Sequence, residues 1–496
     1  VKLQIKTRAE WIAAGLLIAL WLVCAWRAAT QSIVHDEALT YQLYLAGPAG
    51  EIFHHFDANN HFLNTLLMRV STAVGGFSPF TMRLPALLGA GFFFAALFRF
   101  CRWAFGSGWL LPVAVAAVSL NPLLLDLMVA ARGYGLALAL WMWALALLAP
   151  QLDAPVHDRK SVAIAGACAA LSVTANLIFV LPVSILAVVV LSLSVRRPRN
   201  TPKTARKHPR NARKTPPLWR DFLAPAAAVS VAFLLLAPLE SAAGADFYVG
   251  ASSIRESLRS LGEGSLLHSG PQSYQSFMSR IHGDRASILA LIFVAWGAIV
   301  AIRTGSLRLV LTAIPACGSA LLILSLHFAV NLPYPVDRTG IYFIPAATLT
   351  LLAVAMIDPV VFSSSITMAI ILIACYTIQF DPRRFSVWSY DADTNRIAER
   401  LSQIAAAQIA AENTPTKSVT IVNSWQLEPA LNFYRETRHY DQLPPFTRRA
   451  IGPGFDIYVL TPQDRAQVDD LGLTIIYTGS ISQTVIATSA GPPASR

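Results

Sequence analysis

The chain has 496 residues, of which 55% are apolar and 14% charged, against about 45–50% and about 25% in soluble domains. Its mean hydropathy is +0.51. These figures exclude a soluble enzyme, a disordered chain and a nucleic-acid-binding module, and they define a polytopic membrane protein. The formal net charge of +11 is concentrated in one place: Arg196, Arg197, Arg199, Lys203, Arg206, Lys207, Arg210, Arg213, Lys214 and Arg220 occur without an acid between them. The rest of the chain is near neutral, so no nucleic-acid partner is expected. Cys24, Cys101, Cys168, Cys317 and Cys375 all lie in apolar stretches, which gives no disulfide framework.

A membrane-spanning helix needs about 20 apolar residues, because the bilayer core offers backbone groups no water. Such runs occur at 11–29, 80–100, 109–130, 133–150, 161–177, 178–195, 222–240, 286–303, 307–327, 340–357 and 360–380. They predict a mainly α membrane helix bundle of about 11 spans, with 12 or 13 as alternatives. No A-x-A cleavage pattern follows the first run, so it reads as a retained helix rather than a signal peptide. Lys2, Lys6 and Arg8 place the N-terminus in the cytoplasm by the positive-inside rule. Alternation then brings Arg99, Arg102, the 157–160 turn, the basic loop 196–220 and the 303–308 turn to that same side. The apolar segment 62–76 is short and contains Asn64 and Arg69. It reads as an interfacial helix on the outer face, since a crossing there would put the basic clusters outside.

The domain division that follows is 1–380 for the membrane part and 381–496 for a small external α/β C-terminal domain. Within the first, 30–79 and 241–285 are external loops, and the proline-containing basic segment is a disordered cytoplasmic linker. In the tail, Ile397, Leu401, Ile404 and Gln408 have helical spacing over 391–413. Helical stretches at 426–437 and 462–471 separate strand-like runs at 418–423, 456–460, 473–477 and 484–488.

Chemistry can sit in four clusters. Asp36-Glu37, just past the first span, is either a first-turn acid pair on an external helix or a carboxylate able to take a proton from a hydroxyl. The run FHHFDANNHF holds His54, His55, Asp57, Asn59, Asn60 and His61. It supplies zinc ligands in principle, but polar groups lining a sugar-sized cleft fit it better. Asp126 precedes Arg132 by about two turns, as a structural ion pair or with Arg132 holding a phosphate. Asp337 and Arg338 lie in the shaped loop NLPYPVDRTG, where Arg338 pairs with Asp337, anchors at the interface or neutralises a lipid-borne phosphate. No glycine-rich phosphate loop, nucleophile elbow or HExxH pattern occurs.

Taken in order, HDEALTY, NNHFLNTLLMR, SPFTMRLPALLGAG, NPLLLDLMVAARGYGLAL and PVDRTGIYFIP resemble type C membrane glycosyltransferases of the family 39 kind. That family includes protein O-mannosyltransferases and aminoarabinose transferases. The resemblance covers the order of elements over about 30–350 and is strongest over 30–145. Departures occur at His61-Phe62-Leu63-Asn64, where relatives often carry His-Pro-Pro-Leu or Lys-Pro-Pro-Leu, and at Leu39. The resemblance implies a GT-C fold and transfer of a hexosyl or pentosyl group from a polyprenyl-phosphate donor. The acceptor is a lipid, glycan or protein hydroxyl at the outer face of a bacterial inner membrane. It implies Asp36 as catalytic base with Glu37 beside it, and Arg132 and Arg338 as donor-phosphate ligands. Asn60, His61, Tyr41, Tyr134 and Asp126 become substrate-binding residues, with Tyr44 and Trp141 as further walls of one sugar cavity. A divalent metal, Mg or Mn, held by Asp36 and Asp126 is an alternative to phosphate neutralisation by two arginines. The competing readings are a lipid or lipid-linked-sugar flippase, which would show paired broken helices, and a non-catalytic membrane scaffold.

Overall fold

The computed structural model describes residues 5–196, 217–242, 250–267, 269–281, 283–357, 359–412 and 419–489. Most of the basic loop expected at 196–220 falls outside these residues, as does part of the 241–285 loop. The chain is a multi-pass integral membrane protein built as a helix bundle with a small α/β domain at its C-terminal end.

The bundle opens with α1 (Arg8–Thr30), followed by the short α2 (His35–Thr40), α3 (Phe62–Gly75) and α4 (Pro79–Phe105). At one end of the bundle, Glu10 of α1 pairs with Arg102 of α4 at 2.8 Å. At the other end, Arg83 of α4 reaches the carbonyl of Gln31, just past α1, at 2.8 Å. The two helices are therefore antiparallel, and residues 31–78 leave and return at the same end. α3 does not traverse the bundle.

The expected span at 109–130 is two helices, α5 (Leu110–Ser119) and α6 (Pro122–Leu127). Asn121 and Pro122 cause the break: the Asn121 side chain accepts the Leu124 N–H at 3.1 Å, and Pro122 starts the new helix. Next come α7 (Gly133–Asp153), α8 (Arg159–Ala175), α9 (Val180–Arg196) and α10 (Leu218–Leu236). Asp221 of α10 pairs with His157 and Arg159 at 3.0 and 3.2 Å, at the end of the bundle away from Arg83. After α11 (Ile254–Leu266) and α12 (Gln272–Ile281), the bundle is completed by α13 (Gly283–Thr304), α14 (Leu307–Val330), α15 (Phe343–Ala355) and α16 (Pro359–Gln379). Among the described residues, eight helices are long and apolar enough to cross a membrane. Two shorter apolar helices, α5 and α15, join them, against the 11 spans expected from the apolar pattern. α7 is the central helix, with 72% of its most apolar stretch buried against neighbours. The five cysteines are unpaired.

The C-terminal domain packs α17 (Thr394–Glu412), α18 (Glu428–Thr437) and α19 (Ala466–Asp470) around one four-stranded sheet. Its strands are β1 (Ile421–Asn423), β2 (Ile457–Leu460), β3 (Leu473–Thr478) and β4 (Val485–Ser489), in the order β1-β2-β4-β3. β1 and β2 are parallel and the other pairs antiparallel. Ile397 and Leu401, picked out by their helical spacing, are fully buried in the core that α17 and α18 share with α2 and its continuation. That shared core seats the domain on the end of the bundle where residues 31–78 lie.

Candidate active site

α2 carries Asp36 and Glu37 in its first turn, and their environments separate them. Glu37 is fully buried against Arg83, also fully buried, at 2.6 Å. Its Oε1 accepts from Arg83 Nε and from the Ala131 N–H, and its Oε2 from the Val34 N–H. Arg83 also donates to the carbonyls of Ala28, Gln31 and Ser32. Expected beside Asp36 in catalysis, Glu37 instead ties α2 to α4 and to the start of α7. Both of its oxygens are committed, so its role is positioning.

Asp36 faces two guanidiniums from distant parts of the chain. Its Oδ2 lies 3.3 Å from Arg338 and 3.9 Å from Arg132. Burial alone would raise the Asp36 carboxyl. Arg132 and Arg338, with smaller help from His35 and Trp388, outweigh it and hold the carboxyl below its ordinary value.

Arg132 is the residue that enters α7. It donates to Asn59 Oδ1 at 2.8 Å, to Thr40 Oγ1 at 3.3 Å and to the Ala58 carbonyl at 3.3 Å. Its Nε is buried and makes no hydrogen bond. Gly133 makes this position possible: a Cβ there would stand 1.9 Å from the Ala175 carbonyl oxygen and 2.8 Å from His61 Cβ. Gly133→Ala is expected to lower stability by about 1–3 kcal/mol through overpacking, read as a lower melting temperature of the purified protein.

Arg338 stands on a shaped turn. Asp337 has φ +29°, a conformation rare for a residue with a side chain. The turn is held by Ser260 Oγ of α11, which accepts the Asp337 N–H at 2.8 Å, and by the Asp337 carboxylate, which accepts the Arg338 N–H. The Arg338 guanidinium lies over the Trp388 ring at 5.4 Å and hydrogen-bonds Tyr134. The guanidinium's acid partner is Asp36, whereas Asp337 meets Arg338 through its backbone N–H.

Tyr134 also meets the His61 ring edge-to-face at 5.1 Å. His61 is buried, and its Nε2 makes no hydrogen bond. Burial, reinforced by Arg132 and Arg338, pushes its pKa well down and keeps the imidazole neutral. Asn60 anchors its loop by donating to the Ile52 and His55 carbonyls, while its Oδ1 stays buried without a hydrogen bond. Asp36, Arg132, Arg338, Tyr134 and His61 thus form one connected group with Asn60 next to it, and several buried polar atoms there have no protein partner.

Four expected members stand elsewhere. Asp126 pairs with Arg27 at 2.6 Å and accepts the Ser386 N–H at 2.8 Å, so its arginine partner is Arg27 rather than Arg132. Tyr41 packs edge-on against Phe77 and Phe433 and hydrogen-bonds Glu436, which makes it a brace for the C-terminal domain. Trp141 lines a separate apolar pocket with Tyr342, and the Tyr44 hydroxyl donates to Asp57, so no single cavity collects these aromatics. The donors do not fit a divalent ion shared by Asp36 and Asp126, because each carboxylate is already engaged by arginine. Among the described residues no group of three or more His, Cys, Asp or Glu side chains is placed to hold a metal.

Arg27, Arg83, Trp388 and Asp391 were missed in the sequence. Asp391 is fully buried and accepts the His35 N–H at 2.7 Å, which fixes the turn before Asp36. Burial pushes its carboxyl well above the ordinary value. The signal for Arg27 and Arg83 was present, since an arginine within an apolar span is expensive unless it is used.

No protein-family model matches the chain, and neither does any curated protein. The chain is similar to two solved structures of ArnT from Cupriavidus metallidurans, one bound to undecaprenyl phosphate and one in the apo state. Their identities are 15% and 14%, with a TM-score of 0.47 for each. The matches cover 98% and 97% of this chain and 100% and 99% of those chains. It is also similar to the oligosaccharyltransferase of Archaeoglobus fulgidus in complex with zinc and sulfate. That match has 12% identity and a TM-score of 0.42, and covers 97% of this chain and 73% of the other.

Proposed function

We propose that this protein is an integral-membrane glycosyltransferase that moves a sugar from a polyprenyl-phosphate donor to an acceptor hydroxyl at the external face, with inversion. The observation that carries the reading is one carboxylate, Asp36, held between two guanidiniums, Arg132 and Arg338, at the end of the bundle that bears the C-terminal domain.

The chemistry follows from charge. The donor phosphate takes over Arg132 and Arg338, whose planar forks suit phosphate oxygens. With that charge offset, the Asp36 carboxylate is no longer held so far down and becomes a better proton acceptor. The acceptor oxygen attacks the anomeric carbon from the face opposite the phosphate as its proton passes to Asp36. The bond from that carbon to the phosphate oxygen breaks, and its electron pair leaves on the polyprenyl phosphate. Negative charge grows on that group during the step, so the arginines bind the transition state more tightly than the ground state. The unpartnered His61 Nε2 and Asn60 Oδ1 are left for sugar hydroxyls. An enzyme whose base strengthens only when the donor is seated has little tendency to act on an empty site.

Deleting the gene is expected to leave a polyprenyl-phosphate sugar accumulating in the lipid extract, read by mass spectrometry and cleared by the wild-type gene. An unchanged lipid-linked sugar profile would count against the reading. Accumulation on the cytoplasmic leaflet alone would favour a flippase.

A further inference from the structure

The junction of the helix bundle and the C-terminal domain contains a second polar feature, apart from the Asp36 group. Leaving α16, the chain forms a strap over residues 380–392 that is tied down at several points. Gln31 Nε2 donates to the Pro382 carbonyl at 2.6 Å, Arg27 to the Arg384 carbonyl at 3.0 Å and Ser32 Oγ to the Ala392 carbonyl at 3.0 Å. These bonds fix the backbone and leave two guanidiniums available. Arg383 and Arg384 line a cavity of about 470 Å³, together with Asp381, Ser269 and Ser480, a size in the usual range for small-molecule sites.

Its charge is unbalanced. Among the described residues Asp381 is the only acid lining the cavity, and it pairs with both arginines. Arg383 bonds its two oxygens at 3.0 and 3.3 Å, yet the Arg383 side chain is 66% exposed. Arg384 Nε lies 3.6 Å from Asp381, is buried, and makes no hydrogen bond. One carboxylate against two guanidiniums leaves a net positive charge, and the planar forks favour phosphate over other anions. Gln379, the last residue of the pass through α16, lines the same cavity, so the site opens where a lipid headgroup lies. Four residues separate Arg384 from Trp388 beneath Arg338, a reach of at most about 14 Å.

We infer that this cavity is a second anion site, which takes the phosphate group of a headgroup or a soluble phosphate next to the Asp36 centre. The inference needs no transfer activity and is tested by binding alone. Inorganic phosphate is titrated calorimetrically into the full-length protein in dodecyl maltoside, a detergent that carries no phosphate. Arg383→Gln is expected to weaken binding about fivefold, the loss of one exposed charge-assisted contact. Asp381→Asn removes the internal competitor and is expected to tighten it by a similar factor. A gain of affinity cannot come from misfolding, and opposite signs assign the binding to this cavity rather than to Arg132 and Arg338. Repeating the titration with phosphatidylglycerol added to the detergent separates the sources. Competition supports a lipid headgroup, and undiminished phosphate binding supports a soluble anion. Phosphate affinity that neither substitution moves, or the absence of saturable binding, overturns the site.

Discussion

Asp36→Asn is expected to lower the rate of sugar transfer about 10²–10⁴-fold, the usual contribution of a positioned general base, together with a lower melting temperature because Arg132 and Arg338 lose their counter-charge. The substitution keeps the shape and removes the proton acceptor. Donor binding should persist, because Arg132 and Arg338 remain and lose an internal competitor, so kcat falls while KM for donor holds or drops. The pH profile gives a second check. In the free protein the arginines hold Asp36 below the ordinary carboxylate value, so the acid limb of kcat/KM lies below that range. Activity is lost only as pH falls through the depressed value. Arg338→Gln removes one of the two charges responsible and moves that limb upward, in addition to slowing transfer. Full activity in Asp36→Asn would remove this residue from the mechanism.

Glu37→Gln, one residue away, is expected to act on folding instead, costing about 3–5 kcal/mol by leaving the buried Arg83 charge uncompensated. The amide also turns one acceptor into a donor in a place where Arg83 and the N–H groups of Ala131 and Val34 all donate. Thermal unfolding in detergent reads the loss. In a double-mutant cycle with Arg83→Met, the paired change should cost less than the sum of the single ones. Additive losses would mean that the two side chains do not depend on each other.

The contrast between these neighbours shows what the sequence discloses. The multi-pass helix bundle was legible because an apolar run about twenty residues long registers in composition regardless of its partners. Arg132 and Arg338 could be grouped with Asp36 because topology puts all three at ends of passes on one side. Which arginine meets which acid was not legible. An Asp126–Arg132 ion pair was one of two readings because the two lie about two turns apart, yet Asp126 pairs with Arg27, 99 positions earlier. Spacing along one helix says nothing about a helix that arrives from elsewhere. Tyr41 misled for a related reason, since a tyrosine near a candidate acid looks the same whether its ring faces a sugar or Phe433. The strap left almost no trace, because Pro382, Arg384 and Ala392 are held through carbonyl oxygens that every residue type possesses.

The strap also bears on how the protein is made. During synthesis Asp36 emerges long before Arg338, and Trp388 and Asp391 follow later still. A nascent chain halted inside α16 has its carboxylate but lacks the aromatic floor under Arg338 and the acid that fixes the backbone before Asp36. On the proposed function, the contacts that hold Asp36 and Arg338 in place are complete only once residue 391 has been made, so a molecule halted earlier lacks an assembled site.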